Sequence, residues 1–245
     1  MKHAILVVLF LASASTRVSA QHVVLELDPT QSDWTWSIYV PPPLNVWAVP
    51  TNTDQFQLSG RMGGPFVTNA AGHVYSGQFT DGQMLIFPDI EGHVPGPFGI
   101  HLVTFRFYDV VIRKESWPLE FGPEATSDGT CSGDQWFHFL SGTAEGSVFG
   151  VGSFSEELAG EVTPPQWHMG AFTTLPDGRL HFEATETLNF QLTDSTTGLS
   201  FDITFTGNYF ADQVFDIVSY CSGDGSGGVC PCGNSAGIGE GCMNG

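Results

Sequence analysis

Residues 180–192, LHFEATETLNFQL, alternate between apolar and polar side chains along almost their whole length. A period of two is typical of a β-strand with one face in a hydrophobic core and the other in solvent. The polar face carries His181, Glu183, Thr185, Thr187, Asn189 and Gln191, and the apolar face carries Phe182, Ala184, Leu188 and Phe190. Glu186 is the exception, because its position places a carboxylate among the apolar set.

The same pattern recurs through much of the chain and predicts an all-β domain over residues 21–219. Residues 102–112 (LVTFRFYDVVI) are apolar on both faces and favour a central strand. The turn Pro176-Asp177-Gly178 separates two strand-like segments and predicts a hairpin. We expect about ten to twelve strands in an antiparallel β-sandwich or barrel, two architectures that alternation alone does not distinguish.

The amino-terminus has the three parts of a secretion signal. Lys2 and His3 are basic, residues 4–12 are nine consecutive apolar residues, and residues 13–20 are small and polar, ending in Val18-Ser19-Ala20. Nine apolar residues are too few to span a bilayer core of about 30 Å. We therefore expect residues 1–20 to be a signal peptide and the protein to be secreted or displayed at the cell surface. No later stretch is long and apolar enough to predict a transmembrane helix.

The charge balance restricts the partners. The chain has seven basic and 26 acidic residues, a net charge of −19, and removal of Lys2 and Arg17 with the signal makes it −21. Like charges repel at long range, so nucleic acid and anionic lipid are not expected as partners. An extracellular glycan or a surface protein remains compatible with this charge.

Residues 220–245 change composition abruptly to glycine and cysteine, with almost nothing apolar to bury. The four cysteines, Cys221, Cys230, Cys232 and Cys242, lack the paired C-x2-4-C spacing of zinc sites, so no metal is expected there. An exported chain favours disulfides instead. Two pairings remain open: 221–230 with 232–242, or 221–232 with 230–242. Cys131 is then the odd cysteine, either buried or free unless pairing crosses between segments.

Residues 221–242 also carry a resemblance. The segments Gly223-Asp224-Gly225-Ser226-Gly227 and Cys230-Pro231-Cys232-Gly233-Asn234, followed by Gly237, Gly239, Gly241 and Cys242, resemble a module of exported planctomycete-type bacterial proteins. The likeness covers about 22 residues and implies a bacterial lineage and an exported compartment, without an established activity. In similar proteins the module often leads into further sequence, which leaves open that this chain is a fragment.

A calcium site in this module is an alternative to our expectation of no cofactor. Oxygens from Asp224 and Ser226 lie two residues apart, as in calcium-binding loops. An EF-type loop needs more carboxylates and a closing glutamate, and the segment offers only the distant Glu240.

Candidate ligand-binding residues come from two aromatic clusters. Trp136 and His138 lie in one, Trp167 and His168 in the other, and such rings can stack on sugars. The alternative is that these aromatic residues belong to the core. Acid–base chemistry has one candidate pair, Glu186 and Asp109, because a carboxylate on an apolar face has a raised pKa, as a glycosidase acid requires.

No dense catalytic or metal-binding motif occurs, so a catalytic residue is not expected and an enzyme is not favoured. The favoured interpretation is a non-catalytic structural or interaction protein outside the cell. The alternatives are a carbohydrate-binding or glycoside-cleaving domain of jelly-roll type, and a barrel that holds an apolar ligand.

Overall fold

The computed structural model of the protein describes residues 20–125, 127–194 and 198–214. The strands are β1 (Ala20–Leu27), β2 (Asp33–Val40), β3 (Val46–Trp47), β4 (Val49–Pro50), β5 (Gln55–Thr68), β6 (Val74–Gly77), β7 (Asp81–Phe87), β8 (Ile90–Pro95), β9 (His101–Ser116), β10 (Glu120–Phe121), β11 (Thr130–Val148), β12 (Gly152–Glu157), β13 (Gln166–Thr174), β14 (Leu180–Thr193) and β15 (Ser200–Val214). A short 3-10 turn spans Pro97–Gly99. Within these ranges, no helix has the length and apolarity needed to cross a bilayer.

The strands close into a ring. Neighbours follow the order β11, β13, β14, β15, β1, β5, β7 and β9, and β9 pairs with β11 to complete the circuit. Each of these pairings is antiparallel. The all-β prediction is confirmed, and of the two architectures the closed ring is a barrel.

The described residues form fifteen strands rather than the ten to twelve expected. Ten of them make up the eight positions of the ring, because two positions are each shared by two short strands, and β3, β4, β6, β10 and β12 pair outside this circuit. β1 and β2 pair in succession with β15 and β5, and β7 and β8 pair in succession with β9. Pro29 follows the end of β1, and Pro88 follows the end of β7. Proline lacks the N–H that would continue a ladder, so the strand is interrupted at these points.

Three sequence-based predictions about individual elements are confirmed. β9 is central, because it pairs with β7 and β8 on one side and with β11 on the other. β13 and β14 form the predicted hairpin, with Thr174 opposite Leu180. Along β14 the apolar set faces the interior and the polar set faces outward, and Glu186 is buried with the apolar set.

Aromatic rings fill the middle of the barrel. The Trp34 ring centroid lies 6.0 Å from that of Phe56, 6.3 Å from that of Phe137 and 5.0 Å from that of Tyr209. Phe56 in turn packs edge-on against Phe205 at 5.0 Å. This aromatic layer connects two different regions of the interior, an apolar pocket that includes Phe205 and a polar cluster that includes Tyr209.

Candidate functional site

An apolar pocket of about 210 Å³ lies inside one end of the barrel. Its walls come from β7, β8, β9, β11, β14 and β15. The aromatic lining is Phe107, Phe139, Phe190 and Phe205, and the aliphatic lining includes Ile86, Ile90, Val110, Leu192 and Ile203. An apolar cavity of about 150 Å³ stays dry and takes up benzene-sized molecules, so this pocket has room for a small apolar ligand.

One wall of the pocket is not a strand but residues 158–165, which we call the strap. The Phe139 N–H donates to the Glu161 carbonyl and the Gly160 N–H donates to the Phe139 carbonyl, both at 2.9 Å. Thr163 adds a donor to the Phe137 carbonyl and accepts from the Phe137 N–H through Oγ1. The strap is therefore fixed to β11 as a strand would be.

The mouth of the pocket lies between the strap and β14. Although β14 pairs with β15 along its full length, the described residues pair it with β13 only over Leu180–Ala184. Beyond that point, side-chain bonds join Gln166 to Asn189, including one from the Asn189 N–H to Gln166 Oε1 at 2.9 Å. Val162, whose exposed fraction is 51%, and the exposed Gln191 lie at this opening. Glu161 is also exposed and places a carboxylate at the rim.

The other region of the interior is polar. Six buried side chains from five consecutive strands of the ring form what we call the buried polar cluster: Lys114, Cys131, Gln135, His168, Glu186 and Tyr209. Buried polar groups are costly unless they find partners, so such a group of side chains within an aromatic core is unusual.

Lys114 and Glu186 form the centre of this cluster. Nζ of Lys114 lies 2.5 Å from Oε1 of Glu186, and the side chains are 0% and 1% exposed. The same Nζ lies 4.5 Å from the ring centroid of Tyr209 and 5.5 Å from that of Phe79. Burial lowers the pKa of Lys114, and the neighbouring Glu186 carboxylate opposes that effect only in part. The ammonium form is thus disfavoured by its surroundings.

Four buried atoms of the cluster have no hydrogen-bond partner of ordinary geometry within the described part of the chain: Gln135 Oε1, His168 Nε2, Glu186 Oε2 and Tyr209 Oη. Burial lowers the pKa of His168 and raises that of Tyr209 well above its usual value, and the Glu186 carboxylate raises the Tyr209 pKa further. Burial also raises the pKa of the free thiol of Cys131 to about 12, so this thiol is a poor nucleophile at neutral pH.

The outer surface of β9, β11 and β13 carries an aromatic patch. We call it the tryptophan face, and its members are Trp117, Trp136, His138 and Trp167. Trp117 and Trp167 are 61% and 57% exposed, and the ring centroids of Trp117 and Trp136 lie 5.2 Å apart. On β13, Trp167 lies opposite Asp134 of β11. Three of the four residues predicted to bind a ligand therefore share one surface, and Trp117 extends it.

Glu115 organises the polar part of the tryptophan face. Its carboxylate accepts from Trp136 Nε1 at 3.0 Å and from Arg113 Nε at 2.7 Å, and it lies 3.2 Å from Nδ1 of His138. Burial opposes ionisation of this carboxyl, but these hydrogen bonds outweigh it and lower the pKa of Glu115. The result is a charged, hydrogen-bonded frame beside the indole rings.

The structure separates other residues that the sequence grouped. His168 points into the lumen and is buried, so it does not share the surface of Trp136, His138 and Trp167. Asp109 is exposed with φ of 54° at a break in the β9–β11 register, whereas Glu186 is inside the barrel. The two carboxylates proposed as an acid–base pair thus lie on opposite sides of the wall.

Two residues of the buried polar cluster could have been found from the sequence. Lys114 continues the alternation of Val110 and Ile112, which places it on the core face of β9. Tyr209 likewise follows Phe205 and Gly207 on the core face of β15. The strap carries no comparable signal, because its place in the wall depends on hydrogen bonds to a distant strand.

The predictions for Cys221, Cys230, Cys232 and Cys242 and for calcium at residues 224–227 lie outside the described residues. The same holds for the predicted signal over residues 1–20, of which the structure describes only Ala20. In the part of the chain that is described, no three His, Cys, Asp or Glu side chains converge as a set of metal ligands.

Comparison with known proteins gives little further information. Neither the protein-family models nor the curated protein sequences contain a match to this chain. Among solved structures, the chain is similar to the crystal structure of Ail, the attachment invasion locus protein of Yersinia pestis. The identity is 10% and the TM-score 0.26, over 78% of this chain and 97% of that one. A TM-score this low supports no conclusion about function.

Proposed function

We propose that the protein is a non-catalytic, exported binding protein whose barrel takes up a small, neutral, apolar molecule. The observation that carries this proposal is the pocket enclosed by β7, β8, β9, β11, β14, β15 and the strap. Small-molecule sites are typically concave and mostly apolar, with a few polar groups that fix the orientation of the ligand. This pocket has that composition, with Glu161, Thr163 and Gln191 as its polar members.

The chemistry of the lining supports binding rather than reaction. Among the described residues, the lining side chains include no cysteine, histidine or lysine that could act as a nucleophile or a proton carrier. Its one carboxylate, Glu161, lies on the exposed rim of a protein with net charge −19. An anionic ligand would be repelled there, so a neutral ring or a short alkyl chain suits the site better.

The place of action follows from the sequence. Residues 4–12 and the small residues after them have the pattern of a secretion signal. On the proposed function, the ligand is therefore met outside the cytoplasm.

The test is a titration with neutral apolar probes, benzene and indole, followed by ligand-observed NMR and by the thermal midpoint. Binding to the native state raises the midpoint as probe concentration exceeds its Kd. Leu192→Trp puts a larger side chain into the lining of the pocket and should weaken binding by at least about tenfold. Leu102→Trp changes another half-buried leucine outside the pocket and is the matched control. Absence of binding to the unmodified protein, or equal binding by Leu192→Trp, would refute the proposal.

A second candidate function is glycan binding on the tryptophan face. Two indoles more than half exposed on neighbouring parts of one surface, beside the Glu115 network, favour it. A glycan array with calcium present and absent tests this function. Where a glycan binds, its binding should be lost in Trp117→Ala and in Trp167→Ala. Binding should be retained in Trp47→Ala, which removes an equally exposed indole elsewhere on the protein. Retention by the first two variants would exclude this face.

A further inference from the structure

We propose that Lys114 and Glu186 condense to an isopeptide bond, which makes the barrel a covalently cross-linked ring. This inference concerns the buried polar cluster and does not depend on what the pocket binds.

The geometry brings the two reacting groups together with nothing between them. Nζ of Lys114 is 2.5 Å from Oε1 of Glu186, and neither side chain is accessible to solvent. The two residues belong to β9 and β14, which are separated in the ring by β11 and β13. A bond between them would therefore cross the lumen and would not duplicate a contact between adjacent strands.

Burial disfavours the ammonium form of Lys114, and condensation requires the uncharged amine. The Lys114 side chain is fully buried, with Nζ 5.5 Å from the ring centroid of Phe79 and 4.5 Å from that of Tyr209. Among the described residues, Glu186 Oε2 accepts no hydrogen bond of ordinary geometry. An ion pair in such a site has lost its hydration without gaining a full set of partners. Transfer of one proton from the ammonium to the carboxylate gives an amine and a carboxylic acid, which the apolar environment tolerates better.

The reaction is a condensation that needs no oxidant, reductant or third reactant. The lone pair of Lys114 Nζ attacks Cδ of Glu186 and forms the C–N bond. One carboxyl oxygen then leaves with its own proton and one proton from nitrogen, as water, and the C–O bond breaks. The Tyr209 hydroxyl faces the Glu186 carboxyl and has no other hydrogen-bond partner among the described residues. We therefore assign it to carry the proton between nitrogen and the departing oxygen.

Two physical effects make a reaction between such weak partners feasible here. Groups held in contact by a fold react with effective concentrations far above those of free molecules. The product water leaves to bulk solvent, and a core that excludes water protects the amide from hydrolysis.

The decisive measurement is the intact mass of the purified full chain after denaturation and reduction of all cysteines. The expected mass is lower than the sequence mass by one water. In Lys114→Met the measured mass should equal the mass calculated from the sequence of that variant. A mass still lower by one water would assign the lost water to another residue and overturn the proposal. A full sequence mass for the unmodified chain would overturn it directly, whether or not the variant folds.

Trypsin cleaves after lysine and arginine, and after Arg106 the sequence has only Arg113, Lys114 and Arg179 of these two types, so a digest locates the bond. A modified Lys114 is not cleaved, so residues 114–179 should appear covalently joined to residues 180–245. Separate peptides 115–179 and 180–245 would contradict the cross-link.

The rate at which the water is lost tests the role of Tyr209. Protein refolded from denaturant should lose one water with time, and Tyr209→Phe should slow that loss by at least about tenfold while ending at the same mass. Equal rates in the two proteins would refute the assignment of Tyr209 as proton carrier.

Discussion

The imidazole of His168 lies in the lumen, one residue from the exposed indole of Trp167 on the outside of the same strand. Burial lowers its pKa below 6.5, and the Glu186 carboxylate opposes this only in part. The native protein therefore keeps the imidazole neutral at a pH where the unfolded chain already binds a proton. Stability contributed in this way is present above pH 6.5 and is lost as the pH falls from 6.5 towards the lowered native pKa.

Replacing His168 should make stability less dependent on pH in that window. We expect the free energy of unfolding of His168→Gln to fall less steeply than that of the unmodified protein between about pH 7 and pH 5. Urea titrations at several pH values measure this slope. The exposed His73→Gln is the control for loss of a histidine as such, and an unchanged slope in His168→Gln would show that the buried imidazole is not responsible.

At the scale of a single element, β14 shows how strictly one strand separates two environments. Leu188 is buried among the lumen side chains, whereas its neighbour Thr187 is exposed, with its hydroxyl 3.2 Å from Thr206 Oγ1. Successive side chains of a strand point to opposite faces, so adjacent positions differ in burial although they share one backbone ladder.

Truncation of these two neighbours should therefore have very different costs. Leu188→Ala removes buried methyl groups and leaves a cavity, which should lower the free energy of unfolding by about 2–5 kcal/mol. Thr187→Ala should change it by less than about 0.5 kcal/mol, as for most surface positions. Chemical denaturation of both variants gives the comparison. Similar costs would mean that β14 does not have the inward and outward faces described here.

For the whole molecule, the dominant long-range interaction is the repulsion among 26 acidic residues that only seven basic ones offset. Ion pairs such as Arg106 with Asp89 and Glu91 neutralise a small part of this charge. Self-repulsion destabilises the compact state, and salt weakens it because the screening length falls from about 30 Å at 0.01 M to about 3 Å at 1 M.

The thermal midpoint should therefore rise with sodium chloride at neutral pH. Calorimetry or circular dichroism in increasing salt measures the change. The control is the same series near the sequence pI of 4.4, where net charge is close to zero and the salt dependence should largely vanish. A midpoint that falls with salt at neutral pH would show that favourable ion pairs outweigh the repulsion.

The sequence by itself determined what depends on local pattern. The alternation of residues 180–192, the central character of residues 102–112 and the Pro176-Asp177-Gly178 hairpin follow from side-chain period and turn chemistry, and the structure reproduces them. The same alternation placed Glu186 in the interior, because a strand assigns each residue to one of two faces without reference to the rest of the fold.

Other features depend on which strands become neighbours, and only the tertiary structure decided these. Closure of β9 onto β11 made a barrel, the strap left an opening beside β14, and the ring brought Lys114 of β9 against Glu186 of β14. It also brought Trp117 against Trp136 and placed Trp167 of β13 beside the same part of β11. Alternation fixes the face of each side chain but carries no information about pairing order or register, which arise from the packing of the closed ring.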